Sequence, residues 1–287
     1  MTVEQLWQEF KVNYVENRLR ASTQRGYETN VRLHLLPHYG IVDISSIVVD
    51  DLDELTRKLK SNLCNKSIVY VHATFRKMLN YARRREYIQK NPYDLFDAPR
   101  VDKYNYRTFS EEEISRLLYI VKGTELEVPV VFALCYGLRR GECLGIIPAI
   151  DLDYKKRTLH IQRTRSIEHG ESVVTPCKTE KSNRKILLTE EHAGLLLSKM
   201  VGKNYACPLS PNQVEHRYKM LLVKNGFPNV RFHDMRHSFA TLMLEKGINP
   251  KIVSTVLGHS GIGVTLDLYS HPDINLQEVC IQVISRL

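Results

Sequence analysis

At 287 residues the chain is long enough for two domains that each bury a core. Its formal net charge of +9 points to a polyanionic partner, because lysines and arginines gain affinity by releasing counterions condensed on nucleic acid. Cys64, Cys135, Cys143, Cys177, Cys207 and Cys280 form no C-x-x-C pair or zinc spacing, and neither an apolar run of about 18 residues nor a signal-peptide pattern is present. These features argue against a zinc module, a disulfide scaffold, a membrane span and secretion, and lead to the expectation of a cytoplasmic protein with reduced thiols.

The first hundred residues predict helices with short connections. Val3, Leu6, Trp7, Phe10 and Tyr14 recur at helical spacing, a second helix follows Ser22 and stops before Pro37, and Asp50 to Leu59 predicts a third. A fourth, from Asn65 to about Arg85, carries Ile68, Val71, Phe75, Met78, Leu79 and Ala82 on one face. It also holds Lys66, Arg76, Lys77, Arg83, Arg84 and Arg85, which with Lys90 face only Glu86 as an opposing charge. Such a stretch is either a solvated helix face or a surface for DNA. Residues 99–107 lack periodicity and precede a capping-box pattern, Ser110-Glu-Glu-Glu113. They predict a linker between a domain at 1–98 and another at 108–287.

Beyond the linker, Val130 to Leu138 predicts an apolar helix that delivers Arg139, with Pro129 suited to its first turn. Arg157 to Arg163 alternates like a strand, and Glu171 to Leu188 holds two more strand patterns joined by the polar turn Glu180-Lys-Ser-Asn183. Helices follow to the end. The predicted class is therefore mostly α with a small β-sheet, a helical domain followed by a mixed α/β domain.

Arg139 and Arg236 are a candidate pair for a phosphodiester, since attack on phosphorus adds negative charge to the non-bridging oxygens and guanidinium forks match that geometry. His233 and Arg236, three apart, share a helix face above an apolar stripe of Met235, Phe239 and Leu242. His160-Ile-Gln-Arg163 repeats the spacing in a strand pattern, where an odd separation sends the side chains to opposite faces, and is assigned a structural role. His259 follows a helix that Asn249-Pro250 begins and Gly258 ends. Tyr269, one of 15 tyrosines, is singled out by its position ten residues after His259. Nearby cations would favour its phenolate as a nucleophile. Glu142 is placed to orient Arg139, and Arg140 to contact surface or DNA backbone. No carboxylate cluster suggests a magnesium site, so the cationic side chains would take a metal's place and no cofactor is expected.

Gly137-Leu-Arg-Arg-Gly-Glu142, His233-Asp-Met-Arg-His-Ser-Phe-Ala-Thr241, Leu257-Gly-His-Ser260 and the late Tyr269 together resemble the tyrosine recombinase, or phage integrase, family over roughly residues 108–272. The resemblance implies a SAM-like core-binding domain ahead of the catalytic domain, and catalysis by Arg139, Lys178, His233, Arg236, His259 and Tyr269. Lys178 aligns with the family's β-hairpin lysine, which protonates the departing 5′ oxygen; Lys181 and Lys185 are nearby competitors. Gly261 and Gly263 stand where many members carry Ser or Thr. The implied reaction is site-specific strand exchange through a 3′-phosphotyrosine, by a homo-tetramer on two double-stranded DNA duplexes, with room for accessory bending or directionality factors and a nucleoid location. A tail with Leu276, Cys280, Val283 and Leu287 on one helical face would serve assembly. The rival readings are a chromosome-dimer resolvase, a type IB topoisomerase, and a decayed integrase that binds DNA without cutting.

Overall fold

The structure, a computed structural model, describes residues 1–101, 106–168, 170–177 and 180–258. The chain divides into two compact units, Met1–Tyr104 and Asn105–Leu287.

In the first unit, α1 (Val3–Phe10) opens on a capping box: the Gln5 N–H donates to Thr2 Oγ1 at 3.2 Å and the Thr2 N–H to Gln5 Oε1 at 2.9 Å. The helix widens into a π-helical stretch over Lys11–Glu16. After α2 (Ala21–Asn30) comes a second π-helical stretch, Val31–Leu35, and then α3 (Leu36–Tyr39). The helix expected to stop before Pro37 therefore continues past it. Pro37 falls in the first turn of α3, where its missing N–H costs no hydrogen bond. Next are α4 (Val49–Leu59) and the long α5 (Asn65–Arg84). The helices close around Leu6, Phe10, Leu35, Leu52, Leu55, Ile68, Phe75 and Leu79, all fully buried. Each such side chain contributes roughly 1.5–3 kcal/mol of burial.

The second unit begins with α6 (Glu111–Val121), capped reciprocally by Ser110 and Glu113 as its sequence predicts. α7 (Glu127–Tyr136) is buried at every residue from Val128 to Leu134 and forms the centre of the core. It starts at Glu127 rather than Val130 and ends at Tyr136, where Gly137 takes the left-handed conformation at φ 63°. Two short helices follow, α8 (Arg140–Leu144) and α9 (Pro148–Asp151).

The β-structure is split into two sheets, not one. β1 (Leu152–Asp153), β2 (Thr158–Ile161) and β5 (Arg184–Leu187) form an antiparallel sheet in the order β1-β2-β5, with Leu159 opposite Ile186. β3 (Arg163–Glu168) and β4 (Glu171–Pro176) form a separate hairpin. The strand expected to run unbroken from Arg157 to Arg163 breaks at Gln162. Gln162 Nε2 and Arg163 Nη1 both turn to the buried Asp151 carboxylate, at 2.7 and 2.6 Å, and this pins the break. The two strands expected between Glu171 and Leu188 likewise do not pair with one another; each joins a different sheet, across a 3₁₀ turn at Glu180–Ser182.

The described chain ends with α10 (Glu190–Ser198), α11 (Pro211–Lys224), α12 (Asp234–Glu245) and α13 (Pro250–Leu257). Phe232 and Met235 anchor the start of α12 in the main core, while Phe239, Ala240 and Leu244 pack on Val253 and Leu257 of α13.

Candidate active site

The end of α7 and the start of α8 deliver Arg139. A Cβ added at Gly137 would lie 2.6 Å from Phe239 Cδ1 as well as requiring a left-handed residue, so glycine there allows α7 to turn sharply against α12. Arg139 is the N-cap of α8 in extended conformation. Its backbone N–H donates to Glu142 Oε2 at 3.0 Å, its Nη1 to Glu142 Oε1 at 2.7 Å, and its Nη2 reaches the Gly258 carbonyl at 3.5 Å. The Glu142 side chain is only 1% exposed whereas that of Arg139 is 35% exposed, so the carboxylate grips the guanidinium from inside and leaves its outer side open. Burial pulls the Glu142 carboxyl up, but the Arg184 and Arg139 guanidiniums outweigh it and hold the group below the usual carboxylate range.

α12 brings the second arginine. Arg236 is buried and its Nη1 donates to the Gly137 carbonyl at 2.7 Å, so the residue that shapes the turn before Arg139 also holds Arg236. Its Nη2 is buried and finds no acceptor among the described residues. Burial, then the Arg139 charge, draws the Arg236 pKa down to about 9, which leaves it a cation at neutral pH. A buried donor without a partner costs free energy, more so when charged, and an anionic oxygen is the kind of group that would satisfy it.

His233 is the N-cap of α12. Its ring meets His237 edge to face at 5.6 Å, and Tyr106 stacks on the other imidazole at 4.5 Å. Burial lowers both histidine pKa values; the Arg236 charge lowers that of His233 further, and His233 that of His237. The turn is fixed from below by Asp234, buried and held by Arg231 Nε at 2.8 Å and Nη2 at 3.0 Å. Ser238 adds a tie, accepting from the Phe109 N–H at 3.0 Å.

The fold thus brings Arg139, Glu142, His233 and Arg236 together from two segments almost a hundred residues apart. Lys178, His259 and Tyr269 lie outside the described residues, as do Gly261, Gly263 and the tail bearing Leu276, Cys280, Val283 and Leu287. Gly258, the residue before His259, is left-handed at φ 68° and closes α13 as the sequence predicts. Arg140, assigned to the surface or DNA backbone, is ion-paired with Glu215. The second H-x-x-R copy takes structural partners in separate strands: His160 Nε2 meets Asn183 at 2.6 Å, and Arg163 holds Asp151.

One participant has no motif. Arg184, at the start of β5, has an 8% exposed side chain and donates through Nη2 to Glu142 Oε2 at 3.1 Å. Removing one partner from a buried ion pair costs about 3–5 kcal/mol. The detectable signal was strand alternation: Arg184 shares a face with the buried Ile186 and Leu188, and a charge on an inward face requires a partner.

In the first unit, the basic residues of α5 occupy the side away from its core. Lys66, Arg76, Arg83, Arg84 and Arg85 are exposed and Lys77 half-buried. Arg83 Nη1 pairs with Asp94 at 2.6 Å, Lys77 sits 5.2 Å from the Tyr14 ring centroid, and Arg85 lies 5.4 Å from that of Tyr81.

Residues 107–275 match the model of the phage integrase family, and the chain belongs to that family of tyrosine recombinases, enzymes that break and rejoin DNA. Among its relatives, a XerC-like tyrosine recombinase of Caldanaerobacter subterraneus is 29% identical over 72% of this chain; the aligned region spans 62% of that relative's length. The ICEBs1 integrase of Bacillus subtilis is 21% identical over 86% of this chain and 73% of its own. The fold matches the Tn1549 transposon integrase, solved in complex with a circular intermediate DNA, with a TM-score of 0.84, 21% identity and 99% of both chains covered. It also matches lambda integrase, solved as a tetramer bound to a Holliday junction, with a TM-score of 0.69, 14% identity and coverage of 91% of this chain and 78% of that one.

Proposed function

We propose that this protein is a site-specific recombinase that integrates or excises a mobile element, cutting and resealing DNA through Tyr269. The observation that carries the reading is the convergence of Arg139 and Arg236, one braced by Glu142 and the other buried with Nη2 unsatisfied among the described residues, beside His233. Two preorganised guanidiniums suit the charge that develops on a phosphate under attack. The mobile-element assignment draws on likeness to the ICEBs1 and Tn1549 integrases.

In this reading Tyr269 passes its phenol proton to a neighbouring base as its oxygen attacks phosphorus, a 3′-phosphotyrosine bond forms, and the bond to the 5′ oxygen breaks. Lys178 gives that oxygen its proton. Arg139 and Arg236 neutralise the non-bridging oxygens, while His233 and His259 complete the contacts to the phosphate and phenol. The free 5′ hydroxyl of a partner strand then attacks the phosphotyrosine and releases Tyr269. The bond energy stays in the covalent link, so the reaction uses no nucleotide cofactor, and the cationic side chains supply charge stabilisation without a metal.

The first unit serves as a core-type DNA-binding domain, with Lys66, Arg76, Lys77, Arg83, Arg84 and Arg85 on the backbone. Four protomers act on two duplexes in the cytoplasm, on nucleoid DNA, with accessory factors setting direction. A second reading, resolution of chromosome dimers, is favoured by the similarity to the XerC-like recombinase.

The test is a two-plasmid assay with the element's native ends on one plasmid and the chromosomal junction on the other. Recombinants joined at those ends support the integrase reading. Recombination confined to a chromosomal dimer site supports the resolvase. Relaxation of supercoils without recombinants supports a type IB topoisomerase, and binding without cutting a decayed relic.

A further inference from the structure

Arg184 belongs to no recognised motif, yet it makes contacts on three sides of the site. Its Nη2 donates to Glu142 Oε2 at 3.1 Å, sharing with Arg139 a carboxylate that is almost wholly buried. Its Nε donates to the Val256 carbonyl at 2.6 Å, in the last turn of α13. Its Nη1 donates to the Ser182 carbonyl at 3.1 Å, in the turn between the two sheets. A planar fork with fixed donor directions can hold three such acceptors at once, whereas an ammonium on a flexible stem cannot reproduce the arrangement.

A separate observation points to the same junction. A Cβ built on Gly258 would lie 2.8 Å from the Lys181 carbonyl oxygen, 3.0 Å from Arg184 Nη1 and 3.2 Å from Arg184 Cδ. The turn after α13 therefore packs directly on the Arg184 segment with no space between them, and Gly258 is required both for its positive φ and for that approach. Arg139 Nη2 reaches the Gly258 carbonyl from the other side.

We infer that Arg184 is a positioning residue that locks Arg139, through Glu142, to the end of α13. The lock fixes the outer arginine relative to the turn that leads into His259. The role rests on the recombinase reading above and deepens it, because an arginine must be held close to its productive geometry: a misplacement of about 1 Å can cost on the order of a hundredfold in rate.

The test uses the full chain and a duplex carrying the target site mapped with wild-type protein, with Tyr269→Phe as the control for covalent capture. Arg184→Lys keeps the charge and loses the fork. The expected result is unchanged site affinity, within about twofold, with single-turnover formation of the covalent adduct at saturating protein slowed by roughly tenfold to a hundredfold. The deficit should shrink when the scissile phosphate is replaced by a methylphosphonate, which lacks the charge that Arg139 neutralises. A merely structural role does not produce that substrate dependence.

Cleavage by Arg184→Lys within twofold of wild type overturns the proposal, as does a loss of equal size on both substrates or one matched by loss of binding. If thermal melting finds Arg184→Lys unfolded, Arg184→Met combined with Glu142→Gln removes both charges of the buried pair and is judged by the same two rates. Absence of any adduct with wild-type protein overturns the recombinase reading itself, and the proposal with it.

Discussion

Arginine is used in opposite ways in the two units. On α5 the basic side chains stand around the exposed side of a helix whose other face is sealed by Ile68, Phe75, Met78 and Leu79, and the few partners they have are at the surface. In the second unit Arg236 is buried and Arg184 and Arg139 are partly buried, each held by carboxylate or carbonyl oxygens. An exposed cation attracts a polyanion over the screening distance and tolerates substitution; a buried one is aimed at a single geometry and does not. Net charge signals the partner, while burial of charge locates the chemistry.

Arg236→Ala should lower the rate of covalent adduct formation by roughly a hundredfold to a thousandfold, with site binding retained in a gel-shift titration. A loss of binding with no separate loss of rate would place Arg236 with the α5 residues instead.

Replacing Lys66, Arg76, Arg84 and Arg85 together by Gln should act on affinity and leave chemistry at saturation intact. If all four lie on phosphates, the slope of log K against log salt flattens by roughly 3 to 4. An unchanged slope would make that face of α5 a solvated surface only.

The buried histidines extend the comparison to pH. His72 lies between Thr56 and Tyr93, with ring nitrogens 2.9 and 2.8 Å from their hydroxyls, and burial pulls its pKa down to about 4. The unfolded chain has the ordinary value near 6.5, so it takes up a proton that the folded unit refuses. The contribution to stability is complete above about pH 6.5 and declines as pH falls from there towards 4. Trp7, the sole tryptophan and buried in the first unit, reports that unit in urea melts. Its midpoint should fall over this window in wild type and fall less in His72→Gln. His233 and His237 are shifted in the same direction, so adduct formation should weaken on the acid side as the two imidazoles gain charge beside Arg236 and Arg139.

The smallest effect is expected at Arg140. Its exposed pair with Glu215 is worth about 0–1 kcal/mol, and Arg140→Gln should leave cleavage within twofold.

What the sequence made legible was local. The apolar face of α5, the capping box at Ser110, the cap at Asn249 and the left-handed Gly258 each follow from spacing over a few residues. The pairing of His233 with Arg236 on one turn was readable for the same reason. Sheet partnership was not: β4 and β5 each show alternation, but nothing in either strand announces that β4 joins β3 and β5 joins β2. The Pro37 boundary failed because a proline that ends one helix can equally begin the next. Arg184, in the strand just after the polar turn, carries no local signal of its role because its partners, Glu142 and Val256, are 42 and 72 residues away. Its inward register in β5 was the clue, and it becomes meaningful only once Ile186 is known to face the core.

The most direct test of the central claim expresses the protein in a bacterial cell carrying its native flanking DNA, denatures rapidly, and sequences the DNA left covalently attached, with Tyr269→Phe in parallel. Adducts at a discrete site that vanish in the mutant are the predicted result and would identify the nucleophile, the reaction and the target together. Adducts that persist in Tyr269→Phe, or salt-sensitive binding with no adduct at all, would contradict the account.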